Sequence, residues 1–283
     1  MTFIWGSTFV ITKASLEHIS QLLFVTIRFV GGSLILGVIF FRKLKELSLA
    51  AFLNGAVLGV LLFSGFLCQN IGLVITTASK SAFFTGTMVV MVPIVQFIVD
   101  RRLPRLGNLL GVIFSALGLY LLTSPQGAEF NKGDGLTLIC AATFAIYIVY
   151  LDRISNLFDR IHITFSQIAV VGILGSIGLL TYEAPRFDYS SGLVSSLAYL
   201  TVFATVITTF VQTRYQGDTL PTRAAIIFTT EPVIAAALAY YFRGEMMGLT
   251  GVLGGVVIVG GLLVSELSDA IPWLNRALGT ATE

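Results

Sequence analysis

The chain has 283 residues, of which 55% are hydrophobic and only 11% are charged. Soluble domains carry about 25% charged residues, so this composition excludes an ordinary water-exposed surface. The net charge of +2 and the scattered positions of the 17 basic residues argue against a nucleic-acid partner.

Apolar runs of helix length follow one another along almost the whole chain. About 20 helical residues at 1.5 Å each cross the roughly 30 Å hydrocarbon core of a bilayer, whereas a membrane strand needs only about 9–11 residues. The runs are too long for strands and do not alternate, so they indicate helices. The sequence therefore predicts an all-α integral membrane protein with ten transmembrane helices, at approximately 1–14, 21–41, 53–75, 80–99, 105–123, 135–151, 163–182, 192–213, 223–242 and 247–265.

The first run is shorter than the others. As a helix, residues 1–14 would cover only about 21 Å, which is less than the roughly 30 Å that a bilayer requires. We therefore expect further native residues upstream of Met1, which would complete the helix and supply basic anchors. An in-frame stop codon directly before Met1 would contradict this expectation.

Basic residues divide unevenly between the connections on the two sides. Lys and Arg concentrate in cytoplasmic loops, and their distribution favours cytoplasmic N- and C-termini and an even number of spans. With the N-terminus inside, the inner connections hold Arg42, Lys43, Lys45, Arg101, Arg102, Arg105, Arg153, Arg160, Arg214, Arg223 and Arg276, and the outer ones hold Lys13, Lys80, Lys132, Arg186 and Arg243.

The two halves of the sequence align with each other. A shift of 143 positions places Gln69 on Gln212 and keeps the third to fifth runs in register with the eighth to tenth. A shift near 139 relates Trp5 to Phe144. Because each copy has an odd number of spans, the second copy enters the membrane from the opposite side, and the predicted repeats are inverted.

This repeat sets the predicted domain organisation. The chain divides into a first five-helix repeat, a linker, a second five-helix repeat and a cytoplasmic tail, at 1–123, 124–134, 135–265 and 266–283. Inverted repeats give two similar packings, one open to each side of the membrane. They are therefore the strongest physical argument in the sequence for a transporter.

Short motifs occur in a fixed order on this five-plus-five layout. They are Trp5-Gly-Ser-Thr-Phe9, Arg28-Phe29, Ser81-Ala-Phe-Phe-Thr-Gly86 with Pro93, and Ala224-Ala-Ile-Ile-Phe-Thr-Thr-Glu-Pro232 with Arg243-Gly-Glu245. Over almost the whole chain they resemble the EamA family of the drug/metabolite transporter superfamily. The resemblance implies a ten-helix, exporter-type carrier of the bacterial inner membrane for amino acids, related metabolites or drugs. One departure is Asp100-Arg101-Arg102, where the first copy of family members often has Gly-Glu.

Two ionisable residues, Arg28 and Glu231, lie inside apolar runs. Such residues are costly in lipid and mark functional sites. Glu231 is a candidate for binding a substrate amine or a coupling proton, and Arg28 for holding a carboxylate or neutralising an acidic partner. The alternative is structural, with Arg28 bonding helix-end carbonyls and Glu231 capped by a hydroxyl. Pro232, and Pro93 in the fourth run, are expected to break their helices and free carbonyls for a cavity.

Further polar and aromatic residues are candidates for lining a shared substrate cavity. Aromatic faces combined with a few hydrogen-bonding groups suit small amphipathic solutes. The alternative is that the hydroxyls bond back to their own helices and the aromatics pack against neighbours. The candidates are Trp5, Ser7, Thr8, Gln69, Phe84, Thr87, Tyr147, Tyr199, Gln212 and Thr230.

The resulting hypothesis is a secondary carrier that works by alternating access and exports small solutes, with a proton as one candidate for the coupling ion. Its expected partners are the lipid bilayer and a small-molecule substrate, and it is expected to be a monomer or homodimer. No cofactor or metal is expected, because Cys68 and Cys140 lie in apolar runs, where a thiol behaves as a small hydrophobic group. A nucleotide-sugar or sugar-phosphate carrier of the same superfamily is the alternative, and it would need more cations in its spans. A non-transporting membrane scaffold is a second alternative. An enzyme is not expected, because no catalytic constellation occurs in the sequence.

Overall fold

The structure is a computed structural model and describes residues 1–101, 104–123, 130–243 and 248–270. The described residues form helices and no β-strand, apart from an isolated antiparallel bridge between Ile19 and Phe187. The helices of the first half are α1 (Thr2–Leu16), α2 (Gln21–Ile39), α3 (Phe41–Leu44), α4 (Leu49–Ile75), α5 (Ala78–Gly86), α6 (Met88–Asp100) and α7 (Leu106–Thr123).

The second half repeats this order of long helices. Between α10 and α11 the chain forms a π-helical segment, and a 3₁₀ turn follows α11. The elements are α8 (Lys132–Ser155), α9 (Arg160–Tyr182), α10 (Ser191–Tyr199), the π segment (Leu200–Ile207), α11 (Thr208–Tyr215), the 3₁₀ turn (Gln216–Asp218), α12 (Pro221–Phe228), α13 (Thr230–Arg243) and α14 (Leu249–Ala270).

Seven helical segments of the described chain are long and apolar enough to cross a membrane by length and composition. They confirm the predicted all-helical, multi-pass membrane class. The described residues of all ten predicted runs are predominantly helical. However, α1, α7 and the pair α12–α13 are not among the seven segments, so the count of ten spans stays a prediction.

The predicted domain boundaries fall close to helix ends. Residues 124–129 of the predicted linker lie outside the described residues, and α8 begins within its last part, at Lys132. The predicted tail starts at 266, but α14 continues to Ala270 because helical hydrogen bonding does not require apolar side chains. Residues 271–283 of that tail lie outside the described part of the chain.

Polar side chains cap the N-terminal ends of several helices. The side chains of Ser48, Thr77, Asp159 and Ser190 each accept a hydrogen bond from a backbone N–H in the first turn of the following helix. Such caps satisfy donors that have no partner within the helix. They explain why α4 begins before its predicted apolar run.

The two halves pack against each other along most of their length. Helix α4 packs on α8 and α9, α2 packs on α9, α1 packs on α13, and α7 packs on α14. Small residues permit the closest approaches, as expected for membrane helices. A Cβ atom on Gly118 of α7 would lie 2.7 Å from the carbonyl oxygen of Gly254 in α14, so this crossing needs glycine. These contacts between the halves surround the central cavity.

Candidate functional site

A cavity lies between the two halves of the chain, in the middle of the helices. Its empty volume, open solvent at its mouth included, is about 540 Å³. Its described lining is Trp5, Thr8, Phe9, Leu62, Phe66, Gln69, Thr85, Met88, Phe144, Tyr147, Ile148, Gln212, Phe228 and Glu231.

Twelve of these fourteen residues form six pairs related by the sequence repeat. A shift of 139 positions relates residues of α1 to residues of α8, and a shift of 143 relates α4 to α11 and α5–α6 to α12–α13. Equivalent positions of both halves thus face the same cavity. The pairs are Trp5 with Phe144, Thr8 with Tyr147, Phe9 with Ile148, Gln69 with Gln212, Thr85 with Phe228, and Met88 with Glu231.

Interrupted helices bring backbone turns close to the cavity from both sides. Single-residue turns at Thr87 and Thr229 separate α5 from α6 and α12 from α13. At each turn the threonine hydroxyl donates to the carbonyl three residues earlier, at 2.5 Å for Thr87 and 2.6 Å for Thr229. The prolines lie beyond the turns, with Pro93 inside α6 and Pro232 in the first turn of α13.

Glu231 is the acidic residue of the cavity. It lies in the first turn of α13, where the helix dipole favours negative charge, and it is 7% exposed. Within the described part of the chain, no side chain bonds or pairs with its carboxylate, and the positive charge that acts on it is the amino group of Met1. A buried carboxylate without a bonded partner is unfavourable, so the cavity is ready to receive a cation or a proton at this position.

Two sets of hydrogen bonds hold the polar residues of the cavity. Tyr147 donates to Oε1 of Gln167 at 2.9 Å and lies 3.5 Å from Oε1 of Gln212, while Gln167 donates to Thr213 at 2.9 Å. On the other side, Nε2 of Gln69 donates to Oγ1 of Thr85 at 3.1 Å. These bonds fix the side chains around the cavity.

Arg28 is buried, at 3% exposure, but it does not line the cavity. Its Cζ lies 5.2–5.6 Å from the ring centroids of Phe24, Phe29 and Phe66, and Nη2 donates to Thr205 in the π segment at 3.1 Å. Its Nε has no partner among the described atoms. Phe66 lines the cavity, and its ring also contacts the guanidinium.

Six of the twelve predicted binding residues line this cavity, namely Trp5, Thr8, Gln69, Tyr147, Gln212 and Glu231. The other six are Arg28 and five residues engaged elsewhere: Ser7, Phe84, Thr87, Tyr199 and Thr230.

Local contacts account for those five residues. Ser7 lies 3.0 Å from the hydroxyl of Tyr199, whose ring stacks on Phe203. Phe84 packs against neighbouring phenylalanine rings. The hydroxyls of Thr87 and Thr230 donate to carbonyls of the preceding helices, Phe84 in α5 and Ile227 in α12.

Sequence reasoning missed eight lining residues, most of them apolar. An apolar residue within an apolar span gives no sign of which neighbour it faces. The repeat offers the missing signal, because six of the eight are repeat partners of residues that line the same cavity or of each other. The eight are Phe9, Leu62, Phe66, Thr85, Met88, Phe144, Ile148 and Phe228.

The cavity has aromatic and aliphatic walls, carboxamide and hydroxyl groups, and one carboxylate. No cluster of His, Cys, Asp or Glu that could hold a metal ion occurs in the described residues. The walls are suited to an apolar body, and the polar groups can fix its orientation. The arrangement can therefore hold a small amphipathic solute.

Comparison with known proteins agrees with this geometry. The sequence model of the EamA-like transporter family matches residues 1–124 and 131–267. An uncharacterized transporter of Archaeoglobus fulgidus is 29% identical over 267 residues, covering 94% of this chain and 83% of the relative. The uncharacterized transporter YdfC of Bacillus subtilis is 26% identical, covering 94% of this chain and 89% of the relative.

Two further similarities concern location and fold. The uncharacterized inner membrane transporter YedA of Escherichia coli is 24% identical over 270 residues, which cover 93% of this chain and 87% of the relative. A solved crystal structure matches with a TM-score of 0.78 over 94% of each chain at 13% identity. The latter is a similarity of fold alone.

Proposed function

The chain belongs to the EamA-like transporter family, and we propose that it is a secondary active exporter of small amphipathic solutes that works by alternating access between two inverted five-helix repeats. The solute binds in the central cavity. Glu231 engages either the solute or a coupling proton.

The pairing of the cavity residues carries this proposal. Twelve of the fourteen described lining residues are repeat partners, as expected for a cavity on the pseudo-two-fold axis of the proposed inverted repeats. An axis in the membrane plane makes an inward-open packing similar in energy to an outward-open one. A solute on that axis becomes accessible to each side in turn as the halves exchange roles.

Helix packing supports the same symmetry. Exchanging the two repeats maps the α2–α9 and α7–α14 contacts onto themselves. It also maps the α1–α13 contact onto the contact of α8 with α6 and α5, and the structure contains both. The α4–α8 contact is extensive, whereas its equivalent between α1 and the α10–π region is smaller. We interpret this inequality as one of the two access states.

The interrupted helices support a moving site. Turns at Thr87 and Thr229 lie next to Met88 and near Glu231, so small rotations there displace cavity residues without melting a helix. Broken helices at mid-membrane sites are typical of secondary transporters. We assign the coupling proton to Glu231, because it is the ionisable carboxyl group among the described lining residues.

We assign the protein to the bacterial inner membrane with both termini in the cytoplasm, as a monomer or homodimer. The E. coli and B. subtilis relatives and the distribution of basic residues support this assignment. A sugar-phosphate substrate is disfavoured, because no Lys or Arg is found among the described lining residues.

A comparison of cells tests the proposal. Cells that overproduce the protein are compared with matched control cells and with cells that overproduce the Glu231→Gln variant, for solutes in the medium and for resistance to toxic amines and drugs. We expect at least one small amphipathic solute to leave faster only with the unmodified protein. Identical exometabolomes and resistance profiles would contradict the proposal and favour the scaffold alternative.

A further inference from the structure

We propose that the cavity selects an organic monocation, an aryl- or alkylamine without a carboxylate, over a zwitterionic amino acid. This inference rests on the proposed function, since it names the substrate class of the same site. The charges that line the cavity, and the buried charge that does not, support it.

The first observation is the buried carboxylate of Glu231. It is 7% exposed and faces the cavity, no described side chain bonds or pairs with it, and the positive charge that acts on it is the amino group of Met1. Removing a carboxylate from water is costly unless a cation or several donors replace the water. A solute ammonium group supplies both a positive charge and N–H donors.

The second observation is the absence of a cation where the carboxylate of an amino acid would need one. No Lys, Arg or His is found among the fourteen described lining residues. The buried guanidinium of Arg28 does not line the cavity and is occupied by three aromatic rings and Thr205. An amino acid would therefore bury its carboxylate without a counter-charge, whereas an amine would not.

The third observation is the aromatic wall near Glu231. Trp5 and Phe228 both line the cavity, with ring centroids 5.4 Å apart and planes at 74°. Their rings offer faces to an organic ammonium group and its hydrocarbon body. A bare metal cation would instead need a set of oxygen ligands, and the described residues contain no such acidic cluster.

The two repeats differ at the position where the positive charge is expected to bind. Glu231 is the repeat partner of Met88, and both line the cavity, so a carboxylate is present on one side and a thioether on the other. The two glutamines are present on both sides and can orient the solute in either access state. A single carboxylate fits one positive charge, which is why we infer a monocation rather than a polyamine.

Calorimetry of probe binding to the purified full-length protein in detergent tests the inference. The probes are phenethylamine, phenylalanine, 3-phenylpropionate and 2-phenylethanol, which share a phenyl ring and differ in charge. We expect phenethylamine to bind at least about tenfold more tightly than phenylalanine, the value of one charged hydrogen bond. Equal or tighter binding of phenylalanine, or no binding of phenethylamine, would overturn the inference.

Substitutions assign the effect to one group. Glu231→Gln should weaken phenethylamine binding about 10- to 100-fold and leave 2-phenylethanol almost unchanged. Glu231→Asp keeps the charge and should retain the preference for the amine. The matched control is Glu17→Gln, which removes an exposed carboxylate and should alter neither probe. An unchanged phenethylamine affinity in Glu231→Gln would overturn the inference even if the protein binds all probes.

Vesicle flux with the same probes separates this inference from the proposed function. If phenethylamine and phenylalanine cross equally well through the protein, transport stands and amine selectivity fails. If phenethylamine binds selectively but no solute crosses under any gradient, the selectivity stands and the transport proposal fails.

Discussion

The ammonium of Lys80 lies 2.7 Å from Oδ2 of Asp134 and thereby joins α5 of the first half to α8 of the second. Asp134 is fully buried and also accepts from the hydroxyl of Thr76 at 2.6 Å and the backbone N–H of Asn131 at 3.0 Å. Next to it, Lys13 of α1 donates to the carbonyls of Leu73 and Thr76 at 2.6 and 2.9 Å. One end of the helix bundle is thus held by a cluster of charge-assisted bonds.

Replacing Asp134 with Asn should destabilise the protein. The change replaces the buried carboxylate that Lys80, Thr76 and the backbone N–H of Asn131 all engage with a neutral amide, and removing one member of a buried pair costs about 3–5 kcal/mol. Because the Lys80 side chain is 15% exposed, we expect the lower end of that range. The free energy of unfolding is measured by titration with a denaturing detergent in mixed micelles.

The control is Asp188→Asn, which breaks a pair of side chains that are 55% and 59% exposed and 3.8 Å apart. Such surface pairs contribute about 0–1 kcal/mol, so this variant should unfold like the parent. Equal stability of the two variants would contradict a structural role for Asp134.

A methyl group on Gly254 should disrupt the packing of α7 on α14. Its Cβ would lie 2.6 Å from the carbonyl oxygen of Gly118 and even closer to the backbone of Leu122, so the helices must separate. Overpacking of this kind costs about 1–3 kcal/mol or more. Gly260→Ala on the same helix is the matched control, because nothing lies within 4 Å of its Cβ. We expect a lower melting temperature only for Gly254→Ala; a similar loss in both variants would refute this packing.

Phe66→Ala should change the selectivity of the cavity. The substitution removes a ring that lines the cavity and contacts Arg28, which should allow the guanidinium to meet a solute carboxylate. We expect the affinity ratio of phenylalanine to phenethylamine to rise about fivefold or more, as for a partly solvated ion pair.

The control for Phe66→Ala is Leu62→Ala, which lies one turn earlier on α4. Leu62 also lines the cavity but is not among the rings that contact Arg28. Both variants enlarge the cavity, so a general loss of fit affects them alike. An unchanged ratio in Phe66→Ala would show that the ring does not screen Arg28.

Reporter fusions test the orientation of the helices. A cytoplasmic reporter inserted within 43–46 should be active, whereas one inserted within 128–133 should be inactive, because an odd number of predicted spans separates the two loops. A periplasmic reporter should give the opposite pattern. Activity of the same reporter at both positions would contradict the ten-span arrangement.

Much of the architecture could be predicted from sequence because helix length and hydropathy are local properties. Apolar runs located the helices, and the repeat related Gln69 to Gln212 before their common cavity was known. The π segment could not be predicted, since its register depends on packing. In that segment the hydroxyl of Thr205 accepts a hydrogen bond from Arg28 and donates one to the carbonyl of Leu200 at 2.9 Å.

The sequence also could not predict which of the two intramembrane charges lines the cavity. Arg28 and Glu231 both lie in apolar runs, and their depth along the helix is similar for the two. Which of them reaches the cavity depends on the rotation of each helix and on the aromatic side chains around it. Three phenylalanines enclose Arg28, and Glu231 faces the open space.

The central claim is that the cavity between the halves carries solute across the membrane through Glu231. The most direct measurement uses vesicles that contain the purified protein, are loaded with a metabolite extract, and are given a pH gradient, with released solutes identified by mass spectrometry. The unmodified protein should release at least one small amphipathic solute only under the gradient, and Glu231→Gln should not. No solute release under any gradient, or the same release from Glu231→Gln, would contradict the claim.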